Sequence, residues 1–312
     1  MKSLPPYASR LEKVGQYAFL AICTLIFIFL ILPILVIIPL SFNAEPYFTF
    51  TEGMLAFDPD AYSGRWYRDI VGFGMSRPDA DVGWWDDMWA NATWIRAMRN
   101  SFWYALLATI LATGIGTLAA LGLSRPEMPF RSAITSLLIS PMIVPLVITA
   151  TGMFFFYGGT LQGVIPGYEK GLAQTYLGLT LAHATLGVPF VIITVTATLS
   201  GFDRSLIRAS QGLGANGWTT FTKVIMPLIT PGMISGALFA FITSLDEVVA
   251  VIFLADVDQR TIPRQMFSGL REQISPTILA VATILVIMSI FLLTTIELLR
   301  RRSERLRGLS PG

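Results

Sequence analysis

The chain has 312 residues, of which 54% are hydrophobic and only 13% are charged. That charged share is about half the usual value for a soluble domain, and the mean hydropathy is +0.64. Together they exclude the pair of water-surrounded domains that length alone would favour. The net charge of +2 excludes little.

Charge-free runs set the layout. They cover 14–44, 100–124, 132–168, 171–202, 224–245 and 273–296. A helix rises ~1.5 Å per residue, so about 20 apolar residues cross a ~30 Å hydrocarbon core. The expected class is an all-α integral membrane protein with six transmembrane helices. The glycine-rich second half of 132–168 (Gly158-Gly159, Gly163, Gly167) leaves room for one span there and a loop.

The first span is expected at 17–40. Its apolar core is longer than the about 7–15 residues of a cleaved signal peptide, and no A-x-A site follows it, so it reads as a signal anchor. Cys23, the single cysteine, lies inside it and excludes disulfides and Cys-rich metal sites. A long outside segment, 43–97, carries Trp66, Tyr67, Trp84, Trp85, Trp89 and Trp94. An aromatic belt on the membrane surface and a docking surface for a soluble partner are both open readings. The stretch 72–90 has no assigned job.

Span 2 is expected at 98–122 and is studded with Ala108, Ala112, Gly116, Ala119 and Ala120. Such small residues let helices approach closely. Span 3, at 132–157, contains Pro141 and Pro145. Two prolines four apart free backbone carbonyls that lipid cannot satisfy, so this stretch should face protein or a water-filled path. A substrate-pathway lining and a packing kink both fit, as they do for Pro189 in span 4, at 176–200. His183, the only histidine, lies in that span. It is expected to hydrogen-bond between helices, with a proton relay as the alternative.

Span 5 runs from about Leu228 to Ala255 and is interrupted by Asp246-Glu247. One charged residue in a span costs about 2.5–3.5 kcal/mol on insertion scales, so two in succession should not face lipid. They fall ~27 Å along the helix from Leu228, in the outer half of the membrane. Adjacent helical side chains diverge by about 100°, which argues against a shared-proton dyad. With Ser244, the pair is expected on the substrate pathway as a cation-attracting element. A buried structural pair, or a gate that never meets substrate, is the competing reading. Span 6 is expected at 277–299.

With six spans and the N-terminus inside, the inner segments hold 13 of the 22 Lys/Arg, while the outer loops hold 13 of the 20 acids. This bias places both termini in the cytoplasm. The arginine run from Arg300 reads as a stop-transfer anchor, and no nucleic-acid partner is expected. The organisation is therefore 1–42, tail and first span; 43–97, periplasmic loop; 98–300, a five-helix core; 301–312, basic tail.

The loop between spans 4 and 5, 201–227, is the most informative segment. Asp203 is a good N-cap for a first short helix, with Leu206, Ala209, Ser210 and Leu213 on one face. Gly212 and Gly214 sit where that helix ends and φ > 0 is needed. Asn216 can cap a second helix, and Pro227 marks re-entry into the membrane. Two short helices with a small-residue corner suit insertion into a cleft of another protein; lying on the bilayer is the alternative.

The same segment resembles the EAA loop of binding-protein-dependent ABC importer permeases. That pattern is E-A-A, three residues, G, nine residues, then I-x-L-P. Arg208-Ala209-Ser210 stands at the triplet, Gly214 at the glycine with Ala215 beside it, and Val224-Ile225-Met226-Pro227 at the end. The family's Glu is thus Arg208 here, and its second Ala is Ser210. Further likeness lies in Ser41-Phe-Asn43, Arg65-Trp-Tyr67, Asn100-Ser101, Gly201-Phe-Asp203, Ser244-Leu-Asp-Glu247, Pro263-x-x-Met-Phe-Ser268 and the run from Ile274 to Ile284. The chain resembles the spermidine/putrescine (C-type) permease family over nearly its whole length.

The resemblance implies a type I, MetI-like permease in a bacterial inner membrane, multi-pass. It implies a second permease subunit, a sister chain, beside this one. Two ATPase subunits would bind ATP and Mg and receive the EAA loop, and a periplasmic binding protein would deliver polyamines or related small cations. Opine-like amino compounds are the alternative cargo. The chain has no Gly-Lys pair and so no phosphate-binding GxxxxGK[ST] loop; no cofactor, metal or catalytic residue is expected in it. An intramembrane protease needs a Gly-x-Ser-Gly motif that is absent, and Ser235 follows His183 in the wrong order. A secondary transporter would typically show repeated halves, and none are evident.

Overall fold

The computed structural model describes residues 9–79, 83–125, 127–168, 171–203, 205–272 and 275–306. Arg204, Ile274 and the last six residues of the basic tail lie outside them. In chain order the helices are α1 (Arg10–Leu40), α2 (Glu52–Leu55), α3 (Arg65–Gly72), α4 (Trp84–Asn91), α5 (Thr93–Leu123), α6 (Arg131–Ile143) and α7 (Leu146–Phe155). They continue as α8 (Tyr176–Ser200), α9 (Ser205–Gly212), α10 (Gly217–Thr220), α11 (Met226–Leu245), α12 (Val249–Leu254), α13 (Ile262–Glu272) and α14 (Thr277–Leu306). The chain divides into two compact units, one from the residues up to Phe73 and from Gly269 onward, the other Gly74–Ser268.

In the first unit, α1 and α3 pack on α14. Ser9 opens α1 with a reciprocal capping box to Glu12. Phe27, Phe29 and Leu30 stay exposed on an all-apolar helix, the signature of a lipid-facing span. Beyond α1, Ser41 hydrogen-bonds Tyr67 at 2.7 Å, and the Trp66 indole donates to the Asn43 carbonyl at 2.7 Å. The Thr277 hydroxyl donates to the Asp69 carboxylate at 2.5 Å. Trp66 and Tyr67 are thus half-buried and hydrogen-bonded to the residues that follow α1.

The second unit is built on α5, α8 and α11. Ala108, Ala112, Gly116 and Ala120 recur every fourth residue and are buried, forming one ridge against which the neighbours close. A Cβ added at Gly116 would lie 2.6 Å from Val191 Cβ, and one at Gly236 would lie 2.7 Å from Val191 Cα. The helices therefore meet at glycine distance, with Ala112, Val191, Val195, Ile229 and Ala240 as a joint core. Gly236→Leu is expected to destabilise this unit by about 1–3 kcal/mol through overpacking. A thermal melt in detergent checks it, with Gly114→Ala, where a Cβ meets nothing within 4 Å, as the control that should not destabilise.

By length and apolar composition, α1, α5, α8 and the continuous stretch Gly217–Leu245 can each cross a membrane, and α6 with α7 raises the number to five. In α14 the apolar stretch is Thr277–Phe291. Two expectations change. The expected single span 132–157 is two helices bent by 103°. Pro145 causes the break: it bars the helical region to Val144, which is extended at ψ 133°, and supplies no amide to the helix before it. The expected span 228–255 stops at Leu245 and resumes after Val248 as α12.

Candidate functional site

The loop between α8 and α11 is built from its turns. Asp203 accepts the Ser205 hydroxyl at 2.6 Å and the Ser205 amide at 2.8 Å. These bonds, helped by Arg208, hold its carboxyl below the usual carboxylate range. They fix the turn that launches α9. At the other end, the Ala215 amide donates to the Ser210 carbonyl and the Gly214 amide to the Gln211 carbonyl, at 3.0 and 2.9 Å. This is a Schellman ending, and its left-handed position is Gly214, at φ +80°. Gly212, expected to share that role, is the last residue of α9 and has no positive φ.

Asn216 then caps α10, its side chain accepting from the Thr219 amide. Ser210 turns inward and its hydroxyl meets that of Thr220 at 2.9 Å, tying α9 to α10. So Ser210, on the face it shares with Leu206, Ala209 and Leu213, is the hinge pin between the two short helices. Ile207, Thr220 and Phe221 line a recess of about 360 Å³ with Leu121 and Leu199, at the ends of α5 and α8. A π-turn, Phe221–Ile225, carries α10 into α11, with Pro227 in the first turn of α11. Pro227 lacks the amide a regular α-turn would use there.

The outer surface is apolar. Leu213 is 89% exposed, Trp218 73% and Leu206 43%. Arg208 and Ala209 are exposed beside them. Trp218 is the residue sequence reasoning missed; its signal was a large aromatic directly after the cap Asn216, where α10 is too short to bury it. An exposed apolar tip on rigid turns, seated on the ends of two long helices, can receive a push from outside and pass it into the membrane.

The second feature is the break between α11 and α12. Ser244 is buried and its hydroxyl lies 2.6 Å from His183 Nδ1 on α8, the cross-helix bond expected of that histidine. Ser235 is not its partner. Glu247 is buried, and its carboxylate accepts the Ala250 amide at 2.7 Å, capping α12. Asp246 is exposed and has no ion pair or side-chain hydrogen bond among the described residues. The adjacent acids therefore have separate fates, one structural and one free. Neither pairs with arginine among the described residues; Arg96 pairs instead with Asp258 at 2.8 Å.

The two broken segments meet. Leu146, which follows Pro145, packs into the cluster containing Ala250, Val251 and Leu254 of α12. Pro141 lies within the last turn of α6, and Met142, Ile143, Val144 and Pro145 are exposed. No group of three or more His, Cys, Asp or Glu that could hold a metal occurs among the described residues.

The sequence pattern of the family described as "Binding-protein-dependent transport system inner membrane component" matches residues 112–306. A spermidine/putrescine transport system permease protein PotC of Haemophilus influenzae is 28% identical over 89% of this chain and 95% of its own. A putrescine transport system permease protein PotI of Escherichia coli is 28% identical over 83% of this chain and 82% of its own. In structure, the chain superposes on a bacterial ABC transporter involved in the import of the acidic polysaccharide alginate, with TM-score 0.62 and 15% identity, over 95% of this chain and 99% of the other.

Proposed function

The chain belongs to the family of inner membrane components of binding-protein-dependent transport systems, and from its likeness to two polyamine permeases we propose that it carries polyamines or related small organic cations. It is an ABC importer permease subunit whose relatives are transport permeases and not enzymes. The observation that carries the cargo assignment is the likeness to two polyamine permeases across more than four fifths of the chain. The free carboxylate of Asp246 supports it, since a polyammonium ion entering a low-dielectric path needs an anion that is not already paired. The alginate transporter supports the fold and not the cargo.

In this reading a periplasmic binding protein delivers the cation, and partner ATPase subunits bind ATP and Mg. The chain itself holds no cofactor. The apolar tip formed by Leu213 and Trp218 docks on the ATPase. The exposed break at Val144-Pro145 supports a second permease subunit, because bare backbone at membrane depth must be covered by protein or line water. Six crossings with both termini in the cytoplasm complete the reading.

The test is uptake of labelled putrescine and spermidine by cells lacking this gene, in a background without other polyamine importers. Uptake is expected to vanish and to return on re-expression. Unchanged uptake would remove the polyamine assignment, and the partner binding protein would then be screened against opine-like compounds.

A further inference from the structure

The same unit carries a second cleft, remote in character from the cation path. It lies between the end of α5, the first turns of α6 and the second half of α8, and has a volume of about 460 Å³. Its lining is of two chemical kinds. Arg131, Ser132, Thr135 and Ser136 on the first turns of α6 are polar; Ile139 one to two turns on, with Ile192 and Ile193 of α8, is apolar. Arg131 is exposed and makes no ion pair among the described residues. It is the one charged residue lining the cleft.

Position adds to this. Arg131 opens α6, so it stands where the chain leaves the apolar region. The first turn of α6 also carries a partial positive charge from amides without an intrahelical acceptor. Thr196 on α8 lines the cleft too, and its buried hydroxyl has no hydrogen-bond partner among the described residues. Thr109, Thr113 and Thr117 on α5 share that state, so the Thr196 hydroxyl is available to a ligand without by itself requiring one.

We propose that this cleft is a binding site for an anionic phospholipid. The phosphate sits on Arg131 and the hydroxyls of Ser132 and Ser136, an acyl chain lies along Ile139, Ile192 and Ile193, and its ester group meets Thr196. Charge excludes the transported cation as occupant, because the cleft holds an arginine and no carboxylate. A free inorganic anion would use the polar residues alone and leave the isoleucine slot empty. A basic pocket between spans at the membrane surface is the known chemistry of anionic headgroup binding. A lipid there would brace α6 against α8 just before the 103° break. The inference holds whatever the cargo is.

The experiment is native mass spectrometry of the full chain, co-purified with its importer partners, titrated with phosphatidylglycerol or with phosphatidylcholine of the same chain length. Phosphatidylglycerol is expected to be retained preferentially. Arg131→Gln should lower that preference about fivefold, the effect of one basic side chain near a membrane surface, and Arg131→Lys should restore most of it. Ile193→Trp should fill the slot and remove retention while the complex stays intact. Inorganic phosphate should fail to displace the lipid. Equal retention of both lipids, or unchanged phosphatidylglycerol retention in Arg131→Gln and Ile193→Trp, would overturn the proposal. Displacement by phosphate would also overturn it, in favour of a simple anion site.

Discussion

Replacing Gly214 by valine is expected to abolish uptake while leaving the chain inserted and folded. Gly214 takes φ +80° at the left-handed position of the Schellman ending. A non-glycine residue held there costs of order 1–3 kcal/mol, most for a β-branched one. A Cβ at this position meets nothing within 4 Å, so the penalty is one of backbone conformation and not of space. The cheapest relief is for Gly214 to leave φ > 0, which breaks the bonds from Ala215 and Gly214 back into α9. The Ser210–Thr220 contact then loses its geometry, and Leu213 and Trp218 no longer stand on one rigid tip. Since α5 and α8 pack elsewhere, the membrane core should persist. A graded series separates the backbone cause from others: Gly214→Asn should keep most uptake, Gly214→Ala less, and Gly214→Val at most about a tenth, given that 1.4 kcal/mol is tenfold. Uptake and ATP hydrolysis are measured together on the assembled importer. Loss of uptake with hydrolysis continuing marks uncoupling; normal uptake in Gly214→Val would sink the coupling role.

Much of this was legible in the sequence because local rules govern it. Gly214 and Asn216 are turn residues whose roles follow from backbone chemistry, and both occupy the expected positions. The limits of α8, Tyr176–Ser200, match the expected 176–200 because Thr175 caps its first turn and Gly201 follows its last. The break at Val144 was harder. The two prolines announced a disturbance, but whether a proline kinks a helix or ends it depends on what packs beyond it, here α12 against α7. Helical periodicity put Ser210 on one face of α9 but could not name its partner, because Thr220 comes to it from ten residues away. The aromatic segment divides for the same reason. Trp94 is 4% exposed and Trp85 73%, a difference set by tertiary neighbours that periodicity does not contain.

The adjacent acids Asp246 and Glu247 are expected to respond to mutation in opposite ways. Glu247 is 6% exposed and caps α12 through the Ala250 amide. Truncating it to alanine leaves that buried amide without an acceptor, which costs about 1–3 kcal/mol. Glu247→Gln keeps an oxygen acceptor, so it should fold and transport close to normally. Asp246 is exposed at the end of α11 and holds nothing in place among the described residues. Asp246→Asn should therefore leave the melting temperature unchanged. Its effect should fall on cations. Two unit charges 4 Å apart interact by about 4 kcal/mol at an effective dielectric constant of 20. Losing even a third of that lowers transport of a polyammonium ion by about tenfold. Spermidine, with one more positive charge than putrescine, should lose more. The measurement is the initial uptake rate of both, with the melting temperature of each variant beside it. If Asp246→Asn transports both at the parental rate, the free carboxylate is not on the cation path. If Glu247→Gln fails as badly as Glu247→Ala with an intact fold, the charge of Glu247 acts in transport, and the division between a structural and a free acid is wrong.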